Sequence, residues 1–295
     1  MSPGSNVSAA QVKELRERTG AGMMDCRKAL DAVGGDLNAA IEKLRMDGQA
    51  KAVKKAARIA ADGAIAIAAG QDTVAMIEVN CETDFVAKGA DFQAFAAAAA
   101  RAALEQKPAT LEQLAACKAG AQTLEEMRKV MVARIGENIT LRRFEVVKSA
   151  GGPIGQYLHA GNRIGVIVAL SQGDAELARD VAMHVAASRP QYLKPDDVPQ
   201  AARDDERKVL TAQAADSGKP PEIVAKMVEG RLRKFLGEIS LLGQPFVKDP
   251  DQTVEKILQA RKGAVARFVR FEVGEGIEKK ESDFAAEVMA TVKGQ

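Results

Sequence analysis

The feature that most constrains this chain is a pattern it uses twice. Gly63 to Ala69 and Thr73 to Val79 are apolar runs with β-branched residues on either side of the turn Gly70-Gln71-Asp72, which is how a β-hairpin is written. Helical periodicity follows over Asp91 to Leu104 and Leu124 to Ile135, and a strand pattern from Ile139 to Val147 closes the series. Gly152 to His159, the turn Ala160-Gly161-Asn162 and Arg163 to Leu170 then make a second hairpin. A helix is expected over Asp174 to Ser188, and Ala264 to Val273 supplies a second closing strand. Both closing strands carry Phe-Glu-Val, at Phe144-Glu145-Val146 and Phe271-Glu272-Val273. The repetition predicts an α+β protein with two similar α/β core subdomains, at 62–149 and at 150–195 with 239–275.

The two copies differ in length. Ile77 to Phe144 spans 67 positions and Ile167 to Phe271 spans 104, so the second copy holds about 37 extra residues. They lie between Pro195 and Pro245, where Asp196 to Ala215 and Glu222 to Glu238 read as charged helices joined by Asp216-Ser217-Gly218-Lys219-Pro220-Pro221. This predicts an inserted antiparallel helical hairpin over 196–238. Its apolar residues, among them Val209, Ile223, Met227 and Phe235, are too sparse for a globular core and suit a coiled-coil seam.

Ahead of the repeat, residues 1–50 read as three short helices. Ser8 to Gln11 has the spacing of a capping box, Val12 and Leu15 give an apolar face, and Thr19-Gly20-Ala21-Gly22 breaks the helix. Met24 to Val33 is the second helix, ended by Gly34-Gly35. Asp36 caps a third, with Leu37, Ala40, Ile41 and Leu44 at helical spacing before Gly48. Residues 51–61 form an alanine-rich basic linker helix with Lys51, Lys54, Lys55 and Arg58, and 276–295 a C-terminal amphipathic helix with Phe284, Val288 and Met289 on one face.

Composition narrows the function. Forty-two basic and 40 acidic residues are mixed along 295 positions, leaving a net charge of +2 that gives no electrostatic reason to expect nucleic acid or membrane as the main partner. No apolar run approaches the roughly 20 residues a membrane span needs. The beginning of the chain has no secretory pattern, so a soluble, cytoplasmic protein is expected. Cys26, Cys81 and Cys117 are far apart with no CxxC spacing, which suggests reduced thiols and no zinc site. His159 and His184 are the only histidines, there is no nucleophile elbow, and Ser217-Gly218-Lys219 lacks the rest of a phosphate loop, so neither covalent catalysis nor a bound cofactor is expected. The chain reads as one that grips another protein and changes that partner's state.

Within that reading, Asn80 to Ala87 stands out, because it sets a large apolar side chain beside a carboxylate between a strand and a helix. On pattern alone, Thr83 or Asp84 caps the next helix and Phe85 packs into the local core. Glu281 to Ala285 repeats the pattern, so the motif by itself is weakly specific. Met23-Met24 suits either core packing or an adaptable contact surface. The basic run from Lys51 to Arg58 reads as a solvated face. With Arg142-Arg143 it is also what a rival RNA-binding reading would use.

Five stretches in one order carry a resemblance: Val12 to Cys26, Glu78 to Lys88, Met183 to Ser188, Gly243 to Phe246 and Arg270 to Gly276. Across essentially its whole length the chain resembles the bacterial elongation factor Ts family, nucleotide-exchange factors of elongation factor Tu. The resemblance implies an N-terminal module related to ubiquitin-associated domains, two similar core subdomains, an inserted coiled-coil hairpin and a C-terminal helix. It also implies that Thr83, Asp84, Phe85 and Val86 enter the GTPase beside its nucleotide site, between two of its helices, and dislodge Mg2+. Val12, Leu15, Met23, Met24 and Arg27 on the N-terminal module, and His159 in the core, are implied to contact the same partner. The expected partner is elongation factor Tu, GDP-bound and nucleotide-free, with a homodimer or a two-to-two complex left open.

Overall fold

A computed structural model describes residues 7–215 and 220–278. The tip of the expected hairpin, 216–219, and nearly all of the expected C-terminal helix, from 279 onward, lie outside the described residues.

Three helices open the chain: α1 (Ala9–Thr19), α2 (Met23–Ala32) and α3 (Leu37–Lys55). Ser8 and Gln11 complete the capping box of α1, which stops at Gly20 in the left-handed region, φ 67°. Asp36 caps α3 by accepting from the amides of Asn38 and Ala39. Leu15, Cys26, Ala29, Leu30 and Ala40 meet in the small core the three helices share. One expectation fails here: α3 does not stop before Gly48 but runs on to Lys55, absorbing most of the expected linker helix. Gly48 is a contact point instead of a terminator, since a Cβ there would lie 3.2 Å from Ala133 Cβ on a neighbouring helix.

The first hairpin is β1 (Asp62–Ala69) and β2 (Thr73–Cys81). Then come α4 (Asp84–Lys88), α5 (Ala90–Gln106), α6 (Leu111–Ala116), the two-residue strands β3 (Lys118–Ala119) and β4 (Gln122–Thr123), α7 (Leu124–Ile135) and β5 (Thr140–Lys148). The second series is β6 (Ile154–Leu158), β7 (Ile164–Gln172), α8 (Ala175–Ser188), α9 (Gln200–Ala215), α10 (Pro221–Glu238), β8 (Pro245–Phe246), β9 (Asp249–Thr253), α11 (Val254–Ala260) and β10 (Ala264–Glu272).

Both main sheets are three-stranded and antiparallel, ordered β1-β2-β5 and β6-β7-β10. In each, the second strand of the hairpin is central. The sheets pack against each other through Ile65, Val74 and Met76 on one side and Ile167, Ala169 and Phe271 on the other. Ala75, Ile77 and Val79 point the opposite way, onto α5 residues such as Phe92 and Phe95, while Val166, Val168 and Leu170 meet α8. Covered on both faces, β2 is buried at all nine positions, which is why Val74 to Ile77 reads as a continuous apolar run without alternation.

The Phe-Glu-Val echo holds for topology and fails for register. Phe144 pairs with Ile77 and packs toward the helices, whereas Phe271 pairs with Gly165 and packs between the sheets. Both closing strands carry irregularities in pairing, and an offset of one residue reverses the face a side chain occupies. The extra length of the second series is α9 and α10, which share a seam of Leu210, Ala214, Val228 and Leu232. Among the described residues no helix is long and apolar enough to cross a membrane.

Candidate functional site

Strand β2 ends at Cys81, and the chain turns at once into the five residues of α4. Thr83 is the cap: its hydroxyl accepts from the Val86 amide at 3.4 Å, and Gly89 closes the far end. That cap fixes which side chains face inward. Ala87 is buried and Val86 packs against the core of the first sheet, so Phe85, one position earlier, is turned out and left 82% exposed. The local reading that would bury Phe85 is therefore incorrect. Asp84 beside it bonds Lys88 at 2.7 Å one helical turn on, and this contact holds its carboxyl below the usual carboxylate range. The Cys81 thiol is pushed up to about 12, first by burial and then by the Glu137 and Asp62 carboxylates, which keeps it protonated and unreactive.

The turn is gripped from behind. Glu137 Oε2 accepts from the amides of Glu82 and Thr83 at 3.1 and 3.0 Å, and its Oε1 accepts from the Thr83 hydroxyl at 2.7 Å. In return the Glu82 carboxylate accepts from the Asn138 amide at 2.6 Å. Asn138 is buried, and its side-chain nitrogen donates to Arg58 O at 2.8 Å and Ala56 O at 3.4 Å, which anchors this loop to the end of the first helical segment. Sequence reasoning missed Glu137 and Asn138. Their signal was a glycine stop, Gly136 at φ 83°, followed by a carboxylate and an amide just before a strand.

A second tie reaches His159. Gln93 donates to Ala87 O at 2.5 Å and accepts from Asn162 Nδ2 at 2.8 Å, so α4 and the 159–162 turn share one side chain. His159 itself is exposed, 3.2 Å from the Tyr157 hydroxyl. Met23 and Met24 are 59% and 65% exposed and Arg27 pairs with Asp31, so the core-packing alternative for the two methionines does not hold. Val12 and Leu15 are corrected in the other sense. Leu15 is fully buried and Val12 nearly so, both inside the three-helix core, where they shape the module and offer no contact surface.

Much of the charge that an RNA-binding reading would use is paired within the chain. Arg142 and Arg143 both bond the buried Glu78. In the basic run, Lys51 pairs with Asp25, Lys55 donates to Gly136 O, and Arg58 pairs with Glu82. His184 is likewise structural: it is fully buried against Phe246, with Val247 N–H donating to its Nδ1 at 3.1 Å and Gln244 Oε1 lying 3.0 Å from its Nε2.

The family described as Elongation factor TS matches residues 82–275. Elongation factor Ts of Alkalilimnicola ehrlichii is 56% identical over 290 residues, covering 98% of this chain and 99% of that protein. That of Thioalkalivibrio sulfidiphilus is 55% identical over 291 residues, and that of Methylococcus capsulatus 56% over 292, each with the same coverage. A family match that starts at the Glu82 turn, together with relatives sharing more than half their residues end to end, places this chain in the elongation factor Ts family.

Proposed function

We propose that this protein promotes release of GDP from elongation factor Tu by inserting Thr83-Asp84-Phe85-Val86 beside the partner's Mg2+ and phosphate site, so that GTP can enter. The observation that carries the reading is Phe85, a large aromatic side chain held 82% exposed on a short, capped turn. Burying it in a partner stabilises the complex by roughly 2–3 kcal/mol, which offsets part of the cost of displacing groups already packed there. Magnesium requires near-ideal octahedral geometry, so a small shift of the helices around it weakens the hold on the phosphates. In this role Asp84 exchanges its Lys88 contact for hydrogen bonds that fix the insertion.

No covalent step is involved. The factor and the nucleotide oppose each other through one coupling free energy: whatever the factor costs GDP, GDP costs the factor, and incoming nucleotide expels it. Met23, Met24 and Arg27 supply a docking surface on the helical module, and His159 supplies one on the core. Thioether side chains suit an interface that must accommodate a partner changing shape.

The test is release of a fluorescent GDP analogue from elongation factor Tu, chased with excess GDP, alone and with this protein or its Asp84→Ala or Phe85→Ala variant. Acceleration by the wild type that is blunted in either folded variant supports the insertion. Acceleration indifferent to both changes moves the mechanism elsewhere, and no acceleration by folded wild type overturns the reading.

A further inference from the structure

The turn that presents Phe85 is short and exposed, yet it does not depend on its own residues alone for shape. Both oxygens of the Glu137 carboxylate are committed to it. One takes the amides of Glu82 and Thr83, and the other takes the Thr83 hydroxyl at 2.7 Å. The three donors come from the two residues immediately before α4, so together they fix the direction in which the helix, and Phe85 on its first turn, leaves the sheet. We propose that Glu137 is a positioning residue for exchange: it holds Phe85 in the orientation that enters the partner before any partner arrives. The inference rests on the exchange reading above.

Three features support a positioning role over a merely structural one. The base of the contact is rigid, because Gly136 ends α7 in the left-handed region and Asn138 is buried and bonded to two backbone carbonyls. The grip is mutual, since Glu82 accepts the Asn138 amide at 2.6 Å while Glu137 accepts the Glu82 amide. Thr83 is itself exposed, so water can satisfy its amide and hydroxyl if Glu137 is removed. Losing the carboxylate therefore frees the turn at little cost to the fold. Ordering one free backbone residue on binding weakens the productive complex about tenfold. A turn ordered in advance avoids that loss.

The experiment measures release of the fluorescent GDP analogue from elongation factor Tu across a range of factor concentrations, which separates the maximal rate from the half-saturating concentration. Wild type, Glu137→Ala, Glu137→Gln and Phe85→Ala are compared, each with its thermal unfolding midpoint. Glu137→Ala is expected to lower the maximal rate about tenfold. Its half-saturating concentration should stay within about twofold of wild type, because docking elsewhere is intact. Glu137→Gln, which retains an acceptor oxygen and the side-chain length, should recover part of the rate.

Should Glu137→Ala fail to fold, the Gln variant is combined with Thr83→Val. A double variant no slower than Thr83→Val alone supports the coupling, and additive losses overturn it. A maximal rate unchanged in both Glu137 variants while Phe85→Ala is slow overturns the positioning role and leaves the exchange reading standing. A wild type that does not accelerate release removes both.

Discussion

Glu78, fully buried on the central strand of the first sheet, receives the Nε of Arg143 at 2.6 Å. Arg142 reaches the same carboxylate at 2.8 Å although the two arginines are consecutive, and alternating strand residues should face opposite ways. The register shift in β5 opposite Glu78 and Val79 explains it: pairing steps from Arg143 to Leu141, and Arg142 is the extra residue of a bulge. The Gly274 amide, just beyond β10, donates to the same carboxylate at 2.8 Å, so a single group joins the two sheets. Arg143 also lies over the Phe271 ring, 4.4 Å from its centroid.

Glu78→Ala should therefore cost about 1–3 kcal/mol in urea unfolding, because it removes the acceptor shared by two guanidiniums and the Gly274 amide, while both arginines keep their contacts with the Glu272–Glu275 segment. The pH dependence follows from the same contacts. Burial by itself would raise the Glu78 carboxyl, but the Gly274 amide and the two arginines outweigh it and hold the group below the ordinary glutamate value. Because the folded value is the lower one, this stabilisation is complete above roughly pH 4.3 and is lost as pH falls through the folded value. An acid-unfolding curve for Glu78→Gln as steep as that of wild type would contradict this assignment.

Phe85→Ala should separate stability from activity. An exposed side chain that leaves the core untouched changes unfolding free energy by no more than about 0.5 kcal/mol. The unfolding midpoint should match wild type while GDP release slows. A large loss of stability would mean that Phe85 is part of the protein's own packing.

Gly48 gives a graded test of how α3 lies on α7. Replacing a helix-interior glycine by alanine gains about 1 kcal/mol of helix propensity. A Cβ 3.2 Å from that of Ala133 forces a small shift, so Gly48→Ala should be close to neutral. Gly48→Leu should cost about 1–3 kcal/mol by overpacking. Amide exchange should then quicken along α3 near Arg45, whose contact with Glu126 at 2.5 Å spans the two helices. Unaltered protection in the leucine variant would show that the helices part freely at this point.

How legible the fold was depends on the range of the interaction that decides each feature. Ser8, Asp36, Thr123 and Asp174 cap helices with atoms a few residues away, so the helix starts could be read directly. Gly48 could not, because the residue it packs against is Ala133, far along the chain. The same holds at the candidate site. The residues Thr83 to Val86 drew notice as a local motif, but the outward turn of Phe85 follows from the packing of Val86 and Ala87 on the first sheet's core, and the grip of Glu137 depends on contacts 54 and 55 residues apart in sequence, beyond the reach of periodicity. Arg142-Arg143 looked like available charge only because the bulge that aims both at Glu78 has no clear signature in the residues alone.

His184 supports the last prediction. Its Nδ1 accepts the Val247 amide, so the ring proton sits on Nε2 and is donated to Gln244 Oε1 at 3.0 Å, which defines a neutral tautomer. Burial lowers its pKa, and the Gln244 contact opposes that only in part. Below the unfolded-chain value of roughly 6.5, the unfolded protein takes up a proton that the folded protein resists. Stability from this residue is therefore complete above that pH and declines as the pH falls toward the lower folded value. Protonating Nδ1 would also turn an acceptor into a donor facing the Val247 N–H. Urea midpoints measured between pH 7.5 and 5.5 should fall for wild type and fall less for His184→Gln, which cannot titrate. Equal slopes would place the pH sensitivity at another group. A variant with the steeper slope would reverse the sign assigned here.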